Sequence, residues 1–259
     1  MKLLFVGDVV AGIGRRTLAA LLPALRDEHQ PDFVVVNGEN AAGGVGITPK
    51  TAQELLDLGV DAITLGNHAY RHRDVYEYLD RESRIIRPAN FPKGSPGRGH
   101  TVVESNGTRL GVINLSGQLY LEAVRSPFAE ADALLAELRD SADVVLVDMH
   151  AEATSEKVAM GWYLDGRVLA VVGTHTHVPT ADARVLPGGT AYVTDVGMTG
   201  PRGGVIGVKK EAAIERFLTL TQVRFETSQD DPWVNAVLVE GDSDGRARSI
   251  RQLLVPAQQ

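Results

Sequence analysis

The sequence predicts an α/β protein in which two packed mixed β-sheets are flanked by helices. Its N-terminal part repeats a pattern of apolar strand, loop and helix, which is typical of parallel strands. The pattern changes around Asn106-Gly107, a hairpin signal that predicts antiparallel strands. No repeat, low-complexity run or long linker interrupts the 259 residues, and we therefore expect one domain over 1–259.

Three apolar runs in the N-terminal part have the length and composition of buried strands. They are Leu3–Val6, Phe33–Val36 and Ala62–Leu65. The glycine-rich loop Gly7–Gly14 follows the first run. Helices are predicted at Arg15–Asp27 and at the charged segment Asp74–Arg84. Another helix is predicted to begin after the N-cap Thr48, with Pro49 as its first residue.

The remaining elements follow from the same patterns. Further strands are predicted at Thr101–Glu104, Leu110–Asn114, Val144–Val147, Leu169–Val172, Ala183–Leu186, Ala191–Thr194, Thr221–Phe225, Ala236–Glu240 and Ile250–Leu254. Further helices are predicted at Ala129–Arg139, Ser155–Leu164 and Glu211–Leu218, and a mobile loop at Gly197–Gly204.

Composition excludes several classes of protein. The formal charge of −7 argues against extended nucleic-acid binding. The chain has no cysteine, which excludes disulfides, thiolate zinc sites and thiol catalysis. The apolar run at the N-terminus is too short for a signal peptide, and no apolar run reaches transmembrane length. We therefore expect a cytoplasmic protein without a membrane partner.

Side chains that can bind metals follow five of the predicted strands. They are Asp8, Glu39, Asn40, Asn67, His68, His150, His175 and His177. In an open α/β sheet the carboxyl ends of parallel strands border one crevice. Residues two apart point the same way in an extended chain, so His175 and His177 can face one point. The set contains too many ligands for one ion and suits two ions of Mn, Fe or Zn, bridged by Glu39 or Asp8.

Each of these residues also has an ordinary structural explanation. Asp8 lies in a Gly-Asp turn, and His68 taken alone could be a buried, hydrogen-bonded histidine. The coincidence at five strand ends favours the metal site. By contrast, His29, His72 and His100 lie in polar surroundings and are predicted to be on the surface. The glycine patterns of phosphate-binding and dinucleotide-binding loops are both incomplete near Gly7–Gly14.

The ordered motifs resemble those of the calcineurin-like metallophosphoesterases. They are Gly7-Asp8, Gly38-Glu39-Asn40, Gly66-Asn67-His68, Met149-His150 and Gly173-Thr174-His175-Thr176-His177. Glu39-Asn40 and the segment Asp195–Gly200 are similar to the YmdB branch of that superfamily. The resemblance implies a four-layer α/β/β/α sandwich. It places Asp8, Glu39, Asn40 and His177 on one ion. It places Glu39, Asn67, His150 and His175 on the other, with His68 as the general acid.

The resemblance further implies a phosphodiesterase that hydrolyses 2′,3′-cyclic nucleotides, with 3′,5′-cyclic nucleotides as a further candidate, by metal-activated hydroxide attack on phosphorus. Two ions of Fe or Mn are expected, with Zn as an alternative. Arg202 could bind a substrate phosphate. The rival hypotheses are a phosphomonoesterase or protein phosphatase with the same centre, and a metal-dependent regulatory protein with weak hydrolysis. The sequence does not determine which metal is bound, which base is preferred or whether the chain forms a homo-oligomer.

Overall fold

The computed structural model describes residues 1–121, 124–242 and 244–257 and contains two β-sheets between helices. The helices are α1 Ala11–His29, α2 Pro49–Asp57, α3 Tyr76–Arg81, α4 Pro127–Leu138, α5 Thr154–Tyr163 and α6 Lys210–Thr219. The strands are β1 Lys2–Val6, β2 Phe33–Asn37, β3 Ala62–Thr64, β4 Ile85–Ile86, β5 His100–Ser105, β6 Thr108–Ser116, β7 Val144–His150, β8 Ala170–Thr174, β9 Arg184–Val185, β10 Ala191–Val193, β11 Gly200–Pro201, β12 Pro232–Gly241 and β13 Ala247–Pro256.

Both sheets are mixed, which confirms the predicted fold class. The first has the order β11-β12-β1-β2-β3-β4, with β13 paired to β12, and the second has the order β5-β6-β7-β8-β10-β9. Strands β1 to β4 are parallel to one another, as are β6 to β8. The hairpin between β5 and β6 turns at Asn106 and Gly107, both with positive φ, as predicted.

Alternation along the strands produces the layers. On β1, Leu3 and Phe5 are buried in the cluster between the two sheets, while Leu4 is buried in the cluster that includes α1 and α2. On β7, Leu146 belongs to the cluster between the sheets and Val147 to the cluster that includes α4 and α5. The layers therefore run helix, sheet, sheet, helix.

Three predictions about local structure are wrong. Helix α1 begins at Ala11, inside the predicted glycine-rich loop. Thr221–Phe225 forms no strand, because its alternating pattern has no neighbouring strand with which to form a ladder. The segment Gly197–Gly204, predicted to be a loop throughout, contains the short strand β11, which pairs with Pro232 and Trp233.

Two further details differ from the sequence predictions. The third predicted helix is shorter, a 3₁₀ turn at Arg73–Val75 followed by α3. His29 is buried with 6% of its surface exposed, because β13 and the first residues of β1 cover the end of α1 there.

Among the described residues, no helix is both long and apolar enough to cross a membrane. The single-domain organisation of 1–259 stays a prediction.

Candidate metal centre

The predicted ligands come together at the carboxyl ends of strands from both sheets. Residues just past β1, β2 and β3 meet the last residue of β7 and the residues just past β8. These strand ends border the same crevice, which is where an α/β sheet binds its ligands. A cavity of about 250 Å³ opens there, and its walls include Glu39, Asn40, His68, His175 and His177.

One group of donors surrounds the Nε2 atom of His150. This atom lies 3.0 Å from Asn67 Oδ1, 3.1 Å from His175 Nδ1 and 3.2 Å from Glu39 Oε1. Ligand atoms of Glu39, His150 and His175 all lie within 4.8 Å of one another. A carboxylate, two imidazoles and a carboxamide oxygen suit a divalent transition metal.

A second group also contacts Glu39. His177 Nε2 lies 3.0 Å from Asn40 Nδ2 and 3.9 Å from Asp8 Oδ1. Asn40 Nδ2 is also 3.3 Å from Glu39 Oε1, so the buried Glu39 carboxylate adjoins both groups. The Asn40 amide directs its nitrogen to His177 and its oxygen to His68, 3.1 Å from Nδ1.

The backbone of the two histidines differs from the extended chain expected from the sequence. His175 has φ of 95° and His177 has φ of 66°, both in the left-handed region. The two rings consequently join different groups, His175 with His150 and His177 with Asn40. Such strained backbone persists only where the surrounding structure holds it, and it is common at functional sites.

Each of the three imidazoles has an acceptor for its outer nitrogen. His150 Nδ1 lies 2.9 Å from Thr174 Oγ1, whose hydroxyl donates to Asp148 Oδ1 at 2.7 Å. His177 Nδ1 lies 2.9 Å from the Ile206 carbonyl oxygen, and His175 Nε2 lies 3.0 Å from Glu152 Oε2. In the neutral rings the inner nitrogen then carries a lone pair towards the cavity, which is the arrangement of metal-binding histidines.

The shifted pKa values of three side chains at the site indicate that a positive charge is favoured between them. Burial raises the pKa of Asp8 to about 6. Burial also opposes ionisation of Glu39, but His150 and His68 outweigh it and hold the pKa of Glu39 well below its usual range. Burial by itself would lower the pKa of His150, yet Glu39 and Asp8 raise it to about 9. A metal ion would take over the role of this proton by displacing it.

The neighbouring His175 stays neutral, as a ligand must. Burial and the charge of His150 lower the pKa of His175 to about 3. Space for the donors is provided at Gly66, where a Cβ atom would collide with the Glu39 carboxylate and with His150 Nε2. Only glycine fits between these two side chains.

A buried ion pair holds the segment that carries the two histidines. Lys157 Nζ lies 2.7 Å from Asp195 Oδ2, and both side chains are 0% exposed. The same carboxylate accepts hydrogen bonds from the Thr176 amide at 3.1 Å and from its hydroxyl at 2.6 Å. Asp195 therefore fixes the residue between His175 and His177.

Lys157→Met is expected to destabilise the protein by about 3–5 kcal/mol, because it leaves the Asp195 carboxylate buried without its cation. Urea unfolding of the metal-free protein measures this free energy directly. Arg109→Met, which breaks an exposed pair with Asp143, is the matched control and should unfold close to the wild type. An equally stable Lys157→Met variant would contradict the structural role of the pair.

Several site residues were missed in the sequence. Asp148 lies two residues before His150, a spacing that places it on the same face of β7, and Glu152 lies two residues after His150, just past the end of the strand. Ile206 and Lys157 carry no sequence signal, since one acts through its carbonyl and the other lies on a helix. Arg202 lines a neighbouring cavity, with its guanidinium 4.4 Å from the centre of the Trp233 ring.

Comparison with known proteins decides the family. A sequence model of the family described as YmdB-like protein matches residues 4–253. This chain belongs to the YmdB-like family. A relative from Bacillus subtilis, named 2′,3′-cyclic-nucleotide 2′-phosphodiesterase, is 46% identical over 256 residues, covering 98% of this chain and 97% of the relative.

Two solved structures share the fold of this YmdB-like chain. A hypothetical protein from Thermus thermophilus has a TM-score of 0.93 and 43% identity, and the match covers 100% of both chains. A protein described as a novel phosphatase, from Mycoplasma pneumoniae, has a TM-score of 0.92 and 35% identity, with 99% of this chain and 93% of that one covered. The family expected from the ordered motifs is thus confirmed.

Proposed function

We propose that this YmdB-like protein is a dinuclear metal-dependent phosphodiesterase that hydrolyses 2′,3′-cyclic nucleotides. The observation that carries the proposal is the buried Glu39 carboxylate between two groups of donors, His150 with His175 and Asn67, and His177 with Asn40. The substrate class is that named for the Bacillus subtilis relative, which matches along nearly the whole chain.

The proposed ligands fit two ions by their chemistry. Asp8, Glu39, Asn40 and His177 would hold one, and Glu39, Asn67, His150 and His175 the other. Asn40 would bind through its carboxamide oxygen, which requires its amide to turn over, because its nitrogen now faces His177. Carboxylate, carboxamide and imidazole donors together suit Fe, Mn or Zn. When bound, the ions supply Lewis acidity that lowers the pKa of water and neutralises phosphate oxygens.

The residues of the chain itself provide orientation and proton transfer. The acceptors Thr174, Glu152 and the Ile206 carbonyl fix the imidazole tautomers through the outer nitrogens. His68 lines the cavity with 36% of its side chain exposed, and its Nδ1 is held 3.1 Å from Asn40 Oδ1. We assign its Nε2 as the donor to the leaving oxygen. As a water oxygen bonds to phosphorus and loses a proton to solvent, the P–O2′ bond breaks and its electron pair goes to O2′, which takes the proton of His68. The product is a nucleoside 3′-phosphate.

Comparing substrates of the Mn²⁺-loaded protein tests the proposal. We expect kcat/KM to be highest for 2′,3′-cyclic AMP, lower for bis-p-nitrophenyl phosphate and lowest for p-nitrophenyl phosphate. A phosphomonoesterase is the second candidate, favoured by the phosphatase description of the Mycoplasma pneumoniae structure. Faster hydrolysis of p-nitrophenyl phosphate than of either diester would support that candidate. Negligible turnover of all three under every added metal would favour the regulatory hypothesis.

A further inference from the structure

A second cavity adjoins the metal centre. Its volume is about 360 Å³, within the range of about 300–1,000 Å³ that is usual for small-ligand sites. His177 and Ile206 line both cavities. A ligand with its phosphate at the metal centre can therefore extend past the His177 ring into the second cavity.

The walls of this second cavity combine a flat aromatic surface with apolar side chains. Trp233 contributes its indole, whose Nε1 donates to Asp231 Oδ1 at 2.8 Å and so fixes the ring. The Arg202 guanidinium lies 4.4 Å from the centre of that ring. Val178 and Leu254 add aliphatic surface. Aromatic rings and arginine planes are the surfaces on which nucleobases stack.

The cavity also contains an unpaired polar group. Asn235 is 8% exposed, and its backbone is fully used, with its amide donating to Thr199 Oγ1 at 3.2 Å and its carbonyl accepting from Gly7 at 2.9 Å. No residue in the described part of the chain forms a hydrogen bond with its side-chain carboxamide. The carboxamide therefore has both a donor and an acceptor available to a ligand in the cavity.

We propose that this cavity binds the nucleobase of the substrate, with Asn235 pairing the polar edge of the base and Trp233 and Arg202 contacting its face. The inference rests on the proposed function for the position of the phosphate. It extends that function by assigning base recognition to residues of β12 and of the segment Gly200–Ile206, outside the metal centre.

Asn235→Leu tests the proposal, because leucine has the branched shape of asparagine, although it is larger, and cannot form hydrogen bonds. We expect KM for 2′,3′-cyclic AMP to rise on the order of 10-fold with little change in kcat. For glycerol 1,2-cyclic phosphate, a cyclic diester without a base, kcat/KM should change less than about two-fold. Asn235→Ala, which adds no bulk, repeats the test if the leucine variant does not fold. Equal losses on both substrates would overturn the proposal.

Arg202→Ala should likewise raise KM for the cyclic nucleotide and spare the base-free diester. The matched control is Arg167→Ala, which removes a guanidinium 5.2 Å from the centre of the Tyr163 ring on another cavity. We expect the control to leave both substrates unaffected. A KM that is the same in Arg202→Ala and in Arg167→Ala would contradict the contact between Arg202 and the base.

A binding measurement separates this inference from the proposed function. The chain has two tryptophans, and in the variant Trp162→Phe only Trp233 remains. Adenosine 3′-monophosphate added to this Mn²⁺-loaded variant should quench its fluorescence saturably, whereas ribose 5-phosphate should not. Asn235→Leu in the same background should raise the dissociation constant by a factor similar to that for KM.

The two hypotheses then fail in different ways. Saturable quenching in a protein that hydrolyses no cyclic nucleotide would refute the proposed function and keep the base site. Hydrolysis of 2′,3′-cyclic AMP with the same dissociation constant in Asn235→Leu and its parent would refute the base site and keep the function.

Discussion

Glu39→Gln is expected to reduce the metal content of the protein from about two ions per chain to below one. The Glu39 side chain is fully buried and contacts both groups through one oxygen, Oε1, which lies 3.2 Å from His150 Nε2 and 3.3 Å from Asn40 Nδ2. A neutral carboxamide lacks the charge that offsets two cations, so both sites should weaken together. Elemental analysis of protein loaded with Mn²⁺ and then desalted measures the change.

A matched glutamate outside the cavity provides the control for this measurement. Glu54 on α2 pairs with Arg15 at 2.7 Å, and Glu54→Gln should retain both ions. Activity should fall with metal content in Glu39→Gln, and added Mn²⁺ should restore only part of it. Two tightly held ions in Glu39→Gln would show that Glu39 does not bridge them, and the bridge would then have to be sought at Asp8.

His68→Ala is expected to lower kcat for 2′,3′-cyclic AMP on the order of 10²–10⁴-fold, the usual contribution of a positioned general acid, while the metal content stays near two ions. The ring lies at the cavity wall, and its Nδ1 is held by Asn40 and Glu39, which leaves Nε2 for the substrate. The adjacent Asn67 turns the other way, towards His150.

The leaving group distinguishes acid catalysis from other roles of His68. A ribose alkoxide needs a proton to depart, whereas p-nitrophenolate does not, so bis-p-nitrophenyl phosphate should lose much less activity in His68→Ala. His72→Ala, which removes a histidine bonded to the Val45 carbonyl, is the control and should behave as the wild type on both substrates. Equal losses on both substrates would assign His68 to binding, and loss of metal would make it a ligand.

Patterns along the chain identified the elements that are buried on one or both faces. Continuous apolar runs located β1, β2 and β3, because a strand covered on both sides is apolar along most of its length. The same reasoning failed at Thr221–Phe225, where alternation exists without a neighbouring strand. It also missed β11, a pair of residues whose strand conformation depends on Trp233. Short strands of this kind form because a neighbouring strand pairs with them.

The residues of the candidate metal centre were recognisable because strands end abruptly at ligand-type side chains. Their mutual arrangement was not, since distances between residues such as Asp8 and His177 depend on how the two sheets pack. The positive φ of His175 and His177 was likewise not predictable from the neighbouring residues. The sequence suggests an extended His-x-His, whereas Asp195, Lys157 and Thr176 hold a bent one through contacts between distant parts of the chain.

By itself, therefore, the sequence determined the fold class, the family and the set of metal-ligand candidates, because strand periodicity and ordered motifs are local properties. Only the tertiary structure decided which nitrogen of each imidazole faces the cavity. The acceptors that determine this, Glu152, Thr174 and the Ile206 carbonyl, come from separate segments. The tertiary structure also places Asn235 and Trp233 beside His177, although both lie on strand β12, far from His177 in the sequence. Such neighbours are set by the packing of whole sheets, which no local pattern encodes.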